Sequence, residues 1–223
     1  MSSNQAYEVT TRTGAASASA LIRNTYLLLS MTLLFSAATA AFAMALNLRG
    51  PGLLLTLVGY FGLLFAVHKL RNSAWGILAV FALTGFMGFT LGPIINVYLN
   101  AFSNGHQLVM TALGGSGAIF LGLSAYALSS RRDFSFMGGF LFAGVMVAFL
   151  AGLAAVFLQL PGLSLAVSAM FVLLMSASIL YQTSALVHGG ETNYLLATVS
   201  LYVSLYNLFL SLLHLLGFAG GDD

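Results

Sequence analysis

Seven apolar runs divide the chain, separated by short polar or Gly/Pro-rich breaks. The runs lie at about 26–46, 53–68, 74–95, 107–128, 136–158, 163–186 and 193–217. A membrane-crossing helix needs roughly 20 such residues, so the pattern predicts seven transmembrane helices. The breaks carry turn chemistry: Asn47-Leu48-Arg49-Gly50-Pro51-Gly52, Gly92-Pro93, Gln159-Leu160-Pro161-Gly162 and His188-Gly189-Gly190-Glu191-Thr192-Asn193. Proline disfavours helical geometry at the residue before it, so the third helix is expected to end near Gly92-Pro93, with Asn96–His106 as a polar loop. Residues 1–22 are small and polar and read as a disordered tail. The membrane domain is then 23–219, with a short tail at 220–223.

The last run stands apart. Ser200, Ser204, Asn207, Ser211 and His214 recur at steps of four and three, which puts them on one helix face. Hydrocarbon offers polar groups no partners, so this stripe must face protein or water. The seventh helix is therefore expected at the centre of the bundle. Two uses of the stripe remain open: hydrogen bonding between helices, or the lining of a substrate or ion path. Gln182, in the sixth run, needs a partner at depth, and Ser204 or Asn207 would supply it.

Composition strengthens the membrane reading. Of 223 residues, 60% are hydrophobic and 5% are charged, more apolar surface than a water-soluble domain of this size can hide. Met1 to Ala20 has no apolar stretch, so a retained N-terminus is expected rather than a signal peptide. Charge sets an expected orientation. Arg12, Arg23, Lys69, Arg71, Arg131 and Arg132 fall on one side of the seven runs and only Arg49 on the other. Basic residues favour the cytoplasmic side, so the N-terminus is expected inside and the C-terminus outside. Arg131 and Arg132 read as anchors of this kind. Glycine is frequent, and Gly88 and Gly92 form a GxxxG. Gly114, Gly115, Gly117 and Gly122 crowd the fourth run, and Gly138, Gly139, Gly144 and Gly152 the fifth. All of these are expected to let helix backbones approach.

The available chemistry is sparse. Glu8, Asp133, Glu191, Asp222 and Asp223 all lie outside the runs. Paired-carboxylate catalysis, an acidic proton relay and a carboxylate cage for a hard cation therefore lack their residues. There is no cysteine, and the four histidines are far apart in sequence. Ser211 and His214 are close on one helix, but no nucleophile elbow accompanies them. No enzymatic activity, cofactor or metal is implied, and the scattered basic residues do not make a nucleic-acid-binding face.

The motif Gly88-Phe89-Thr90-Leu91-Gly92-Pro93-Ile94-Ile95 resembles the core signature of the Bax inhibitor (transmembrane Bax-inhibitor-motif) family. The later part of that signature is looser here, reading Ala112-Leu113-Gly114-Gly115-Ser116-Gly117-Ala118-Ile119-Phe120. Longer strings are similar to a bacterial branch of the family. They include Phe134-Ser135-Phe136-Met137-Gly138-Gly139, and His188 through Tyr194 continuing to Asn207. The resemblance implies seven helices with the last one central. It also implies one of two roles: association with and restraint of FtsH, an ATP-dependent protease of the bacterial inner membrane, or a pH-sensitive calcium leak working through an acidic pair on the sixth and seventh helices. The family's two acidic positions correspond to Gln182, in Leu180-Tyr181-Gln182-Thr183, and Ser204, in Leu201-Tyr202-Val203-Ser204. Neither titrates, so the acid-pair form of the leak does not carry over. Restraint of FtsH is the leading expectation. A leak or small-solute path lined by the stripe and Gln182 is the alternative.

Overall fold

The computed structural model describes residues 3–130 and 132–220. All regular structure among them is helical: α1 (Ser3–Ala45), α2 (Leu53–Leu70), α3 (Trp75–Ala101), α4 (Gly105–Ser130), a 3₁₀ turn (Ser135–Met137), α5 (Gly138–Phe157), α6 (Pro161–His188) and α7 (Tyr194–Ala219). Seven segments are long and apolar enough to cross a bilayer, the first being Ala18–Ala45 within α1. Three connections gather at the end of the bundle where α1 enters the span. There Asn193 donates through Nδ2 to the Arg71 carbonyl, and Ser184 joins the chain at Arg132 and Phe134. At the other end Asn96 Nδ2 donates to the Met44 carbonyl, and Tyr98 lies against Gly217.

Helix α7 is the axis. It packs against α1, α2, α3, α4 and α6. Over half of its apolar window, 56%, is buried by protein, against 6% for α2 at the rim. Leu201, Leu208 and Leu213 are wholly buried, and Tyr202 nearly so.

The most extensive helix pair is α1 with α3, and its cause is the GxxxG. A Cβ at Gly88 would collide with the Ser36 carbonyl and the Thr39 hydroxyl, and one at Gly92 would meet the Ala40 carbonyl at 2.6 Å. Only glycine permits this approach. The fifth helix behaves similarly toward α6 only at Gly144, where an added Cβ would meet Leu174 at 2.7 Å; Gly138 approaches Tyr181 at 3.1 Å, Gly152 makes ordinary contact with Val167 at 3.5 Å, and Gly139 meets nothing within 4 Å. The fourth helix does not. Gly114, Gly117 and Gly122 have nothing within 4 Å of an added Cβ, and Gly115 only Leu212 at 3.7 Å. Gly114, Gly117 and Gly122 thus turn away from the bundle, because Ala112, Ser116, Phe120 and Ser124 occupy the inward face, whereas Gly105 at the start of the helix is buried against the Tyr98 carbonyl.

Two boundaries differ from the sequence reading. Helix α3 does not end at Gly92-Pro93 but runs on to Ala101, with Pro93 inside it. Proline removes one N–H, but unwinding at membrane depth would strand several more backbone groups. The contact of Gly92 with α1 and the Asn96–Met44 bond of 3.2 Å hold the continuing turns in place. At the N-terminus, where 1–22 reads as disordered, the backbone is helical from Ser3. No proline interrupts it, and the span behind supplies the helix nucleus, so each added residue contributes a bond without a new nucleation cost. Met1, Ser2, Arg131 and residues 221–223 lie outside the described part.

Candidate functional site

Gln182 and Ser204, nearly level on α6 and α7, face each other across the most intimate helix pair that α7 makes. Gln182 donates through Nε2 to Ser204 Oγ at 3.0 Å, and Ser204 Oγ lies 3.4 Å from Gln182 Oε1. Donor and acceptor are thus exchanged within one pair. Ser204 is 2% exposed, so no bilayer or solvent group competes for it. An amide and a hydroxyl arranged this way hold two helices in register. They do not take up or release a proton near neutral pH.

The alternative partner for Gln182 is not used. Asn207 turns its Nδ2 back to its own helix, donating to the Val203 carbonyl at 2.8 Å. The rest of the predicted stripe separates in space. Ser200 is exposed, while Ser211 is buried. His214 is half-buried, with Nε2 3.3 Å from Ser164 Oγ of α6. Asn207 borders a cavity reaching toward α2 and α5, whereas Ser211 and His214 border another with Ile94, Tyr98 and Ser168. The helix face is as the spacing predicts, but its members serve different neighbours.

A second line on α7 carries more of the polar load. Thr198, Tyr202 and Tyr206 recur at steps of four. Thr198 Oγ1 donates to the Tyr194 carbonyl of its own helix at 2.7 Å and lies 3.2 Å from the Thr25 carbonyl of α1, which shares that proton. Tyr202 donates to the Thr84 carbonyl of α3 at 3.3 Å and also meets the Ser36 hydroxyl of α1. Thr90 Oγ1 spends its proton on the Met87 carbonyl, so Tyr206 is the donor in their 3.3 Å contact. Beside the Gln182 pair, Thr183 Oγ1 meets Tyr26 OH at 3.2 Å. The four-residue period of Thr198, Tyr202 and Tyr206 is the sequence signal for this line. It is easily overlooked because tyrosine reads as apolar in a membrane helix.

The signature residues lie one helix away. Gly88 and Gly92 seat α1 against α3, and Pro93 rests its Cβ near Gly50 in the α1–α2 turn. This places the motif at the α1–α3 contact and makes it a packing element.

A family model described as "Inhibitor of apoptosis-promoting Bax1" matches residues 18–221. The chain belongs to this Bax inhibitor family. The match begins where the first span begins, so it covers the whole membrane bundle of this family member. The chain is 53% identical over 211 residues to the Escherichia coli K12 protein named Modulator of FtsH protease YccA, covering 95% of each. It is 54% identical over 205 residues to an uncharacterized protein of Pseudomonas aeruginosa, covering 92% of each. A more distant relative, a Golgi anti-apoptotic protein of Vaccinia virus, is 33% identical over 210 residues, covering 88% of this chain and 84% of that one. The two bacterial relatives are named as a modulator and as an uncharacterized protein, and none of the three bears the name of an enzyme.

Proposed function

We propose that this protein resides in a bacterial inner membrane, where it binds and restrains an FtsH-type ATP-dependent membrane protease. The observation that carries the reading is 53% identity across 95% of both chains to a protein named as a modulator of that protease. The physical chemistry of the bundle supports it. The two family acid positions are neutral and bonded to each other, so a proton-switched path has no titrating pair there. The α1–α3 seam is closed by glycines that allow backbone contact, and such a bundle resists extraction by pulling. The N-terminal segment lies at the end that carries Lys69, Arg71 and Arg132. Positive charge favours the cytoplasmic side, which supports an N-terminus on the side of the protease's ATP-driven part and a C-terminus in the periplasm. The protease engages this helical N-terminal extension, unwinds it, and stalls on the bundle behind it.

The test is reconstitution of FtsH with a membrane substrate, with and without the purified protein, alongside a pull-down from native membranes. Slower substrate degradation and co-purification are expected. Deleting residues 2–17, ahead of the span that begins at Ala18, should abolish both while leaving the thermal unfolding of the bundle in place. Co-purification that survives this deletion would overturn the handle mechanism. An absence of FtsH together with unchanged degradation would overturn the proposal.

A further inference from the structure

A cavity of about 410 Å³ lies between α2, α3, α5, α6 and α7. Phe61 of α2 and Met146 of α5 line it and are about half exposed, so it opens at the α2–α5 seam. These two helices never bring Cα atoms within 8 Å of each other. The edge-to-face pair of Phe61 and Phe149, with ring centroids 6.0 Å apart, spans the gap. Both helices are membrane spans, so the mouth opens sideways into lipid.

Three features of the lining restrict what fits. It carries no charged residue, so neither a cation nor an anion would be compensated there. Six of its fifteen residues are aromatic, which suits a flat ring. It also presents polar atoms that the protein leaves unmatched. The Tyr60 hydroxyl has no hydrogen-bond partner among the described residues, and neither does Asn207 Oδ1. Tyr60 is the eighth of 18 residues in α2 and Asn207 the fourteenth of 26 in α7, so both sit near the middle of their spans. A donor and an acceptor left unmatched at that depth favour a ligand that brings its own polar atoms.

The depth selects the ligand. The polar heads of phospholipids stay at the interface, about 15 Å from the bilayer centre. A ligand that brings oxygen to the centre must be an uncharged amphiphile whose head itself enters hydrocarbon. We infer that this cavity binds the ring of a prenylated quinone or quinol, with its tail leaving through the α2–α5 seam. A ring carbonyl accepts from the Tyr60 hydroxyl. In the quinol form a ring hydroxyl donates to Asn207 Oδ1. Aromatic side chains, Phe61 and Phe149 among them, enclose the ring faces. The inference concerns binding alone and is independent of the protease partner.

The test is photolabelling of the full chain in lipid nanodiscs with an azidoquinone, mapped by mass spectrometry and competed with decylubiquinone. Saturable, competed adducts around Tyr60, Phe61 and Phe149 are expected. Tyr60→Phe removes one oxygen without changing the ring, and should raise the competing concentration about tenfold. Val203→Trp fills the cavity and should eliminate the adducts. Labelling that is uncompeted and spread over the outward faces of α2 and α5, such as Leu54 and Phe142, would mean mere partitioning into lipid and would overturn the inference. An unchanged competition curve in Tyr60→Phe would overturn the assigned contact. Should Val203→Trp fail to fold, the Tyr60→Phe curve decides.

Discussion

At the scale of single residues, what matters is which polar atoms have partners. Gln182→Leu would leave the Ser204 hydroxyl, 2% exposed, without its partner, whereas Gln182→Leu with Ser204→Ala removes both ends. The single change should cost about 1 kcal/mol in a detergent unfolding titration, and the double change less than the sum of the two singles. Strict additivity would mean that the pair is not coupled. Outside the membrane, Asp133 accepts from the Ser135 backbone N–H at 2.8 Å. That bond, helped by the Ser135 side chain and the nearby His188, holds its carboxyl below the usual carboxylate range, with slight burial opposing. A depressed folded value gives a contribution that is present above the unfolded value, about 3.9, and lost as pH falls through the folded one. The α4–α5 connection should therefore loosen only in acid, seen as faster hydrogen exchange at Ser135–Met137. In Asp133→Asn that acid transition should disappear.

At the scale of elements, two kinds of glycine make opposite predictions. Gly88→Ala drives a methyl into the Ser36 carbonyl and Thr39 of α1, and should cost about 2 kcal/mol by overpacking. Gly114→Ala meets nothing and adds a better helix former, so it should be neutral or stabilising by up to roughly 1 kcal/mol. Unfolding midpoints of the two variants measured side by side check both. The start of the central helix is the other sensitive point. Asn193 caps α7 by accepting from the Leu195 and Leu196 N–H groups, and ties it to the α2–α3 turn through Arg71. Asn193→Ala should cost about 1 kcal/mol and raise exchange in the first turn of α7. Asn193→Asp, which keeps the accepting oxygen, should recover the cap but not the Arg71 bond.

At the scale of the whole molecule, α7 is an axle with polar spokes to α1, α3 and α6. Helices α2 and α5 stay at the rim, and the cavity lies between them. The sequence by itself determined the number of spans and the central place of α7. Both follow from residue type and period, which a bilayer reads directly: apolar length must match its thickness, and polar faces must turn inward. It also narrowed the partner of Gln182 to Ser204 or Asn207, because a polar group at depth demands a partner and few were on offer; the packed bundle chose Ser204. Only the tertiary structure decided the rest. Whether Pro93 ends a helix depends on the contacts of Gly92 and Asn96 with α1, which lie far away in sequence. Whether a glycine packs or merely faces lipid depends on how its helix is rotated, and glycine, lacking a side chain, gives no periodic signal of that rotation. The partners of Tyr202, the turning back of Asn207 and the unmatched hydroxyl of Tyr60 are likewise three-dimensional outcomes, because each is a competition among neighbours that only the packed bundle brings within reach.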